Sequence, residues 1–284
     1  MDWSKTKTIF IAVFLVLNIF LLYQYVEKVS SNKLETLSES TLDELLAENE
    51  IKINELPKKV TKEQYLSGKS KTFKREDLKK LKGQKKAIIF NEVKIYSKLD
   101  KPFPLGEKLH SEALDALVKE SVLNGDQYKF WKVEEDSNSI VYYQTYEDKV
   151  IFDNTNAKLT LYINGKREVD SYEQTYIENI EPFNEKEEVL TAEKAIETIY
   201  KKGFLPAKSE ISKVEIGYYN LALLTASHVL TPTWHIVLNG EEDLFVNAID
   251  GQIIQLDEED EEIPNTEDTD ETNEILNGDQ HKLE

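Results

Sequence analysis

Few groups in this chain could do chemistry. It has four histidines, His110, His228, His235 and His281, and no cysteine. His228 and His235 stand seven residues apart and flank Pro232, so on a common sheet face they would approach a metal together with Glu241 or Asp243. The local pattern argues instead for His235 as a half-exposed strand residue and His228 as a loop residue. No catalytic residue, metal ligand or cofactor ligand is assigned. The missing thiols exclude Cys-ligated zinc, iron–sulfur clusters, disulfides and a thiol nucleophile. Gly-x-Ser-x-Gly, a Walker loop, a dinucleotide-binding glycine fingerprint and His-Glu-x-x-His are all absent from the sequence. Carboxylates are abundant, which makes them weak evidence for a glycosidase pair. What remains is recognition chemistry, and two constellations suit it. One is Asn18, an amide inside an apolar run. The other is a concentration of aromatics, Trp131 with Tyr142, Tyr146 and Tyr162 foremost. These aromatics either form an exposed contact surface or cap sheet edges and core.

Asn18 is positioned by Ile9–Val26, a run with no ionisable group other than its tyrosines. As a helix it spans about 27 Å, enough for the hydrocarbon core of a bilayer, and it satisfies its own backbone. Trp3 near one end and Tyr23 and Tyr25 at the other fit interfacial belts. The length, and the lack of an Ala-x-Ala site after it, favour an uncleaved anchor over a signal peptide. Lys5 and Lys7 precede the span and orient the N-terminus to the cytoplasm, leaving the rest extracytoplasmic. Helical spacing puts Ile11, Phe14, Leu15, Asn18, Leu21 and Leu22 on one face. The Asn18 amide either finds a partner within its own helix or bonds a second membrane helix; a lone anchor needs no polar centre, so this face reads as an interface for a partner helix.

Beyond the span, Ser30 to about Ile53 reads as a helical stalk on Leu34, Leu37, Leu42, Leu45 and Leu46, ended by Pro57. The stalk either packs on its own domain or pairs with a neighbouring helix. Ala87–Tyr96 reads as a strand, Pro102 and Pro104 as a loop, and Ser111–Leu123 as a helix. The period then falls to two, with strands expected at 127–134, 139–147, 157–164 and 167–176. Asn164-Gly165 is the two-residue hairpin signal. Thr191 caps a helix ended by Gly203, and strands follow at 212–220, 232–238, 243–247 and 252–256, with a turn at Asp250-Gly251. The order helix then antiparallel meander thus occurs twice. It predicts an α+β fold of two similar units, each a helix laid on a sheet.

The chain has 284 residues, with 40% hydrophobic and 31% charged, and a net charge of −19. It is globular in composition, and its charge disfavours nucleic acid. Thirteen acids against one Lys lie between Asp257 and Glu284. That block predicts a solvated, disordered tail.

The opening Met1–Tyr25 resembles the YycI (WalI) family, membrane-anchored regulators of low-GC Gram-positive bacteria. Trp3-Ser4, the run Thr6–Ile11 and the pattern Phe14-Leu15, Leu17-Asn18, Phe20-Leu21 carry the likeness. The second unit, with its Trp234 strand and Asp250-Gly251 turn, also looks PepSY-like. The resemblance implies a non-catalytic regulator acting with a YycH-like membrane protein on a YycG (WalK)-like sensor histidine kinase that controls cell-wall metabolism. It implies contacts through membrane helices and exterior domains. A tethered PepSY-like ligand-binding or protease-inhibitor module is the alternative. The expected division is a leader at 1–8, the span at 9–26, the stalk at 27–60, α+β domains at 61–180 and 181–256, and the tail at 257–284.

Overall fold

The computed structural model describes residues 3–32, 39–57, 60, 62–106, 111–221 and 227–254. The acidic tail, His110, His281 and the stalk residues Leu34 and Leu37 lie outside these. Helix α1 (Trp3–Asn32) contains the whole apolar run and extends past both of its ends. From Ile9 to Tyr25 every side chain is exposed within the chain. It is, among the described residues, the one helix long and apolar enough to cross a membrane, over Thr6–Tyr25.

The folded domain starts at α2 (Glu39–Glu48) and continues through β1 (Lys52–Ile53), β2 (Lys62–Glu63), β3 (Leu66–Ser70) and the single turn α3 (Arg75–Leu78). A hairpin follows, β4 (Gln84–Phe90) and β5 (Lys94–Pro104), then α4 (Ser111–Ser121). The first meander is β6 (Tyr128–Glu134), β7 (Ser139–Tyr146), β8 (Lys149–Phe152), β9 (Lys158–Ile163), β10 (Glu168–Gln174) and β11 (Ile177–Pro182). After the two-residue β12 (Glu187–Glu188) come α5 (Ala192–Lys201), β13 (Glu210–Asn220), β14 (Ser227–Leu238), β15 (Glu242–Asn247) and β16 (Ile253–Ile254).

Among the described residues, fourteen strands hydrogen-bond into one sheet with the path β11-β3-β14-β13-β8-β7-β9-β10-β5-β4. Pairing is antiparallel except where β1 and β8 join β13 in parallel. The architecture is α+β, as expected, but the two meanders share one hydrogen-bonded sheet. The splice is the β8–β13 pairing, Tyr218 opposite Ile151 and Tyr219 opposite Phe152. Gly217 makes it possible, because a Cβ there would meet the Val150 carbonyl oxygen and the Phe152 ring, each at 2.4 Å.

Each meander has its own helix-covered core. Leu114, Val118 and Val122, at and just beyond α4, pack on Ile140, Tyr142, Leu159 and Leu161. Ala195, Ile196 and Ile199 of α5 pack on Trp234, Ile236 and Leu238. Leu42 and Leu46 of α2 join that second core, so this part of the expected stalk belongs to the folded domain. Thr191 caps α5 by accepting from the Lys194 N–H, and Gly203 leaves it at φ 79°.

Several expectations need correction. α2 ends at Glu48, because the chain turns at Asn49-Glu50 (Glu50 φ 56°) to lay Ile53 beside β13. The strand expected over Ala87–Tyr96 is a hairpin. Asn91 and Glu92 take φ 46° and 61°, turning the chain so that Phe90 pairs with Lys94. The proline segment is not a loop, since β5 runs through Pro104 and pairs with β10 at Phe103 and Pro104. Asn164-Gly165 is not a two-residue turn. The Asn164 carboxamide oxygen accepts the N–H groups of Lys166 and Glu168, and Arg167 rather than Gly165 takes the left-handed φ, at 59°. The primed turn forms instead at Asn239-Gly240 (φ 52° and 79°). Strands β3 and β8 were not foreseen.

Candidate functional site

The strip on α1 is intact along the helix. Ile11, Phe14, Leu15, Asn18, Ile19 and Leu22 line one shallow furrow, with Leu21 on its flank. No described element covers it, so the Asn18 amide is the polar point of an otherwise apolar surface.

The aromatic group does not form a single surface. Tyr142 is fully buried, and its hydroxyl donates to Asp115 Oδ1 at 3.0 Å beneath α4, so its assignment to an exposed face is corrected. Tyr146 is half-buried edge-on to Tyr218. Burial, and then the Glu173 carboxylate, push the Tyr162 hydroxyl up to about 12. Strict alternation sends these tyrosines to both sheet faces.

Trp131 leads to a cluster that sequence reasoning missed. It is half-buried on β6 against the His235 ring, centroids 4.8 Å apart. Phe152 and Phe245 close on the same ring at 5.0 Å each. His235 is therefore 1% exposed, not a half-exposed strand residue. The back face of β14 is covered by the first meander. Both ring nitrogens meet carboxylates, Nδ1 at 3.2 Å from Glu215 Oε1 and Nε2 at 2.7 Å from Asp243 Oδ1. Lys213 (2.6 Å) and Lys129 of β6 (3.3 Å) also reach Glu215, so the cluster ties the two meanders together. The signal was present in the charged pair Lys213 and Glu215, two apart and alternating with Val214 and Ile216 on β13. It could be read only once Glu215 was known to lie opposite His235.

Burial alone would raise the Glu215 pKa. The His235 hydrogen bond, then that of Lys213 and the charges of Lys213 and Lys129, override it and hold the carboxyl at about 2, against an ordinary 4.5. A depressed folded-state value stabilises the fold above pH 4.5, and this contribution is lost as pH falls from there toward 2. Glu215→Gln is expected to flatten the acid limb of a stability–pH curve, by on the order of 3 kcal/mol. An unchanged limb in urea titrations across that window would refute the clamp.

Two further buried polar groups hold the splice region. His228 lies on β14, not in a loop. It bonds Ser70 Oγ through Nε2 at 2.8 Å and sits 3.2 Å from the Asn220 amide through Nδ1. An odd separation along one strand sends His228 and His235 to opposite faces. Glu63, 5% exposed, pairs with Lys149 Nζ at 2.7 Å and accepts from the Tyr218 hydroxyl at 3.3 Å. Among the described residues no group of three or more His, Asp or Glu side chains is placed to hold a metal.

These features define the class: an α+β domain behind one apolar helix of membrane-spanning length, with the buried groups of His235, His228 and Glu63 clamping strands together. The family model described as YycI protein matches residues 30–249, and the chain belongs to the YycI family. That family is regulatory and non-catalytic, and membership ties the chain to the WalK-type kinase system. The match begins after the apolar run, so it rests on the folded domain rather than on the opening segment that carries the likeness in the sequence. No curated protein matches. Among solved structures, the chain is similar to an uncharacterized protein from Eubacterium rectale ATCC 33656. There the identity is 11%, the coverage 73% of this chain and 91% of that one, and the TM-score 0.42. It is also similar to the Bacillus megaterium YpeB C-terminal domain, with 7% identity, coverage of 78% and 99%, and TM-score 0.37.

Proposed function

We propose that this protein is a single-pass, non-catalytic regulator that biases a WalK-type sensor kinase by helix packing inside the bilayer. The N-terminus is cytoplasmic, the domain extracytoplasmic, and a YycH-like protein shares the complex. The observation that carries the reading is the α1 strip, exposed along its length within the chain with Asn18 at its middle. An amide in hydrocarbon favours association with a second helix by about 1 kcal/mol. Two arrangements of the kinase helices separated by a few kcal/mol would then be shifted by whichever one this strip binds better.

The chain has no cysteine, so a single Asn18→Cys provides a unique crosslinking position. Crosslinks from position 18 to a kinase membrane helix are expected, and a control at Ile9 should give few. Asn18→Leu should weaken kinase regulation severalfold with membrane insertion unchanged. Unaltered signalling in Asn18→Leu would end the proposal.

A further inference from the structure

The far edge of the sheet carries a surface that the α1 strip does not explain. Strand β4 ends the sheet path and, among the described residues, pairs only with β5. Segment 73–83 runs beside that hairpin and is pinned at both ends. The Phe73 N–H donates to the Glu92 carbonyl at the hairpin tip, and the Asp100 N–H donates to the Gly83 carbonyl at its base. Between these pins lie Lys74, Arg75, Lys79, Lys80 and Lys82, and Lys85 and Lys86 follow on β4, all exposed. The three acids of 73–93 are Glu76, Asp77 and Glu92, and Asp77 is buried and paired with Lys80. This edge is thus net positive on a chain whose total charge is −19. At its tip the side chains of Phe90 and Val93 are 48% and 36% exposed.

We propose that this edge is a contact face for an anionic lipid bilayer, with Phe90 and Val93 entering the headgroup region and the lysines and Arg75 facing lipid phosphates. The inference rests on the reading of α1 as a membrane anchor. Three observations select this occupant. Cations beside exposed apolar side chains are the pattern that binds an anionic interface. The tether is short: α1 runs six residues past Val26 and α2 begins at Glu39, so the domain starts within about 30 Å of the membrane. Finally, Lys85 and Lys86 on an edge strand oppose pairing with a second copy.

The test uses the full chain in vesicles, with Val93→Cys carrying an environment-sensitive fluorophore at the only thiol. Flotation first reports whether the chain is membrane-anchored. A blue-shifted, brightened probe is expected in phosphatidylcholine vesicles containing phosphatidylglycerol and not in phosphatidylcholine alone. Each cation contributes about a fivefold effect at such a surface. Lys82→Gln/Lys85→Gln/Lys86→Gln should therefore shift the contact equilibrium on the order of a hundredfold toward release, as should high salt in part. Phe90→Ser, an exposed position that leaves the core untouched, should reduce the shift with the charges in place. A chain that floats with vesicles while its probe stays in water overturns the contact and leaves the anchor standing. A probe shift that is equal in both lipids, and grows with protein density, overturns it in favour of edge-to-edge pairing. A chain that fails to float overturns the anchor and this inference with it.

Discussion

Lys149→Met is expected to lower the unfolding free energy by about 3–5 kcal/mol. It leaves the Glu63 carboxylate buried, with only the Tyr218 hydroxyl at 3.3 Å to answer it among the described residues. The cost comes from the orphaned charge rather than from losing an attraction, because removing a pair from water already cancels most of what the two ions gain from each other. The companion experiment separates these two effects. Glu63→Gln/Lys149→Met removes both charges, and the double variant should recover most of the loss. Urea unfolding of the full chain in detergent, followed by tryptophan emission, measures both, since Trp234 is fully buried. A single variant that loses less than about 1 kcal/mol would show the pair to be solvated and the clamp idle.

Gly217→Ala should be at least as severe, with a loss above about 3 kcal/mol. The new methyl would sit 2.4 Å from the Val150 carbonyl oxygen, a backbone atom that cannot rotate away, and against the Phe152 ring. Relief requires β8 and β13 to separate, which opens the splice and moves Phe152 off the His235 ring. Near-ultraviolet circular dichroism should lose intensity as the Trp131, Phe152 and His235 stack opens. Gly165→Ala is the matched control, because nothing lies within 4 Å of a Cβ there. It should fall within about 0.5 kcal/mol of the parent. Equal effects at the two glycines would mean that the splice bears no load.

The contrast between these positions shows what the sequence could and could not convey. Local signals were legible where one residue type decides a local outcome. The apolar run became α1, Thr191 capped α5, and Gly251 took the positive φ of its turn. Signals that depend on a partner far along the chain were not. The sequence 66–70 has no clean alternation, yet it forms β3, held by β14 on one side and β11 on the other. His235 looked like an ordinary strand residue because its burial comes from Trp131 and Phe152, side chains supplied by the other meander. The same reasoning misjudged Tyr142, whose strand is buried on both faces from Ser139 to Gln144 and whose own side is covered by α4. On α1 the residues that share a face were legible because a helix fixes its own geometry. The hairpin-edge cations lay in a Lys-rich stretch whose fold could not be assigned.

The place of β3 has a consequence for synthesis. Its partner registers, Lys69 with Ser227 and Leu66 with Leu230, join segments about 160 residues apart. Contacts this distant give a high contact order and slow closure of the last strands. A chain made from its N-terminus holds Leu66 and Gly68 without their final neighbour until residue 230 has emerged. A ribosome that stops before residue 230 therefore leaves β3 with β11 as its neighbour and its other edge open, an unpaired strand edge that a chaperone must shield.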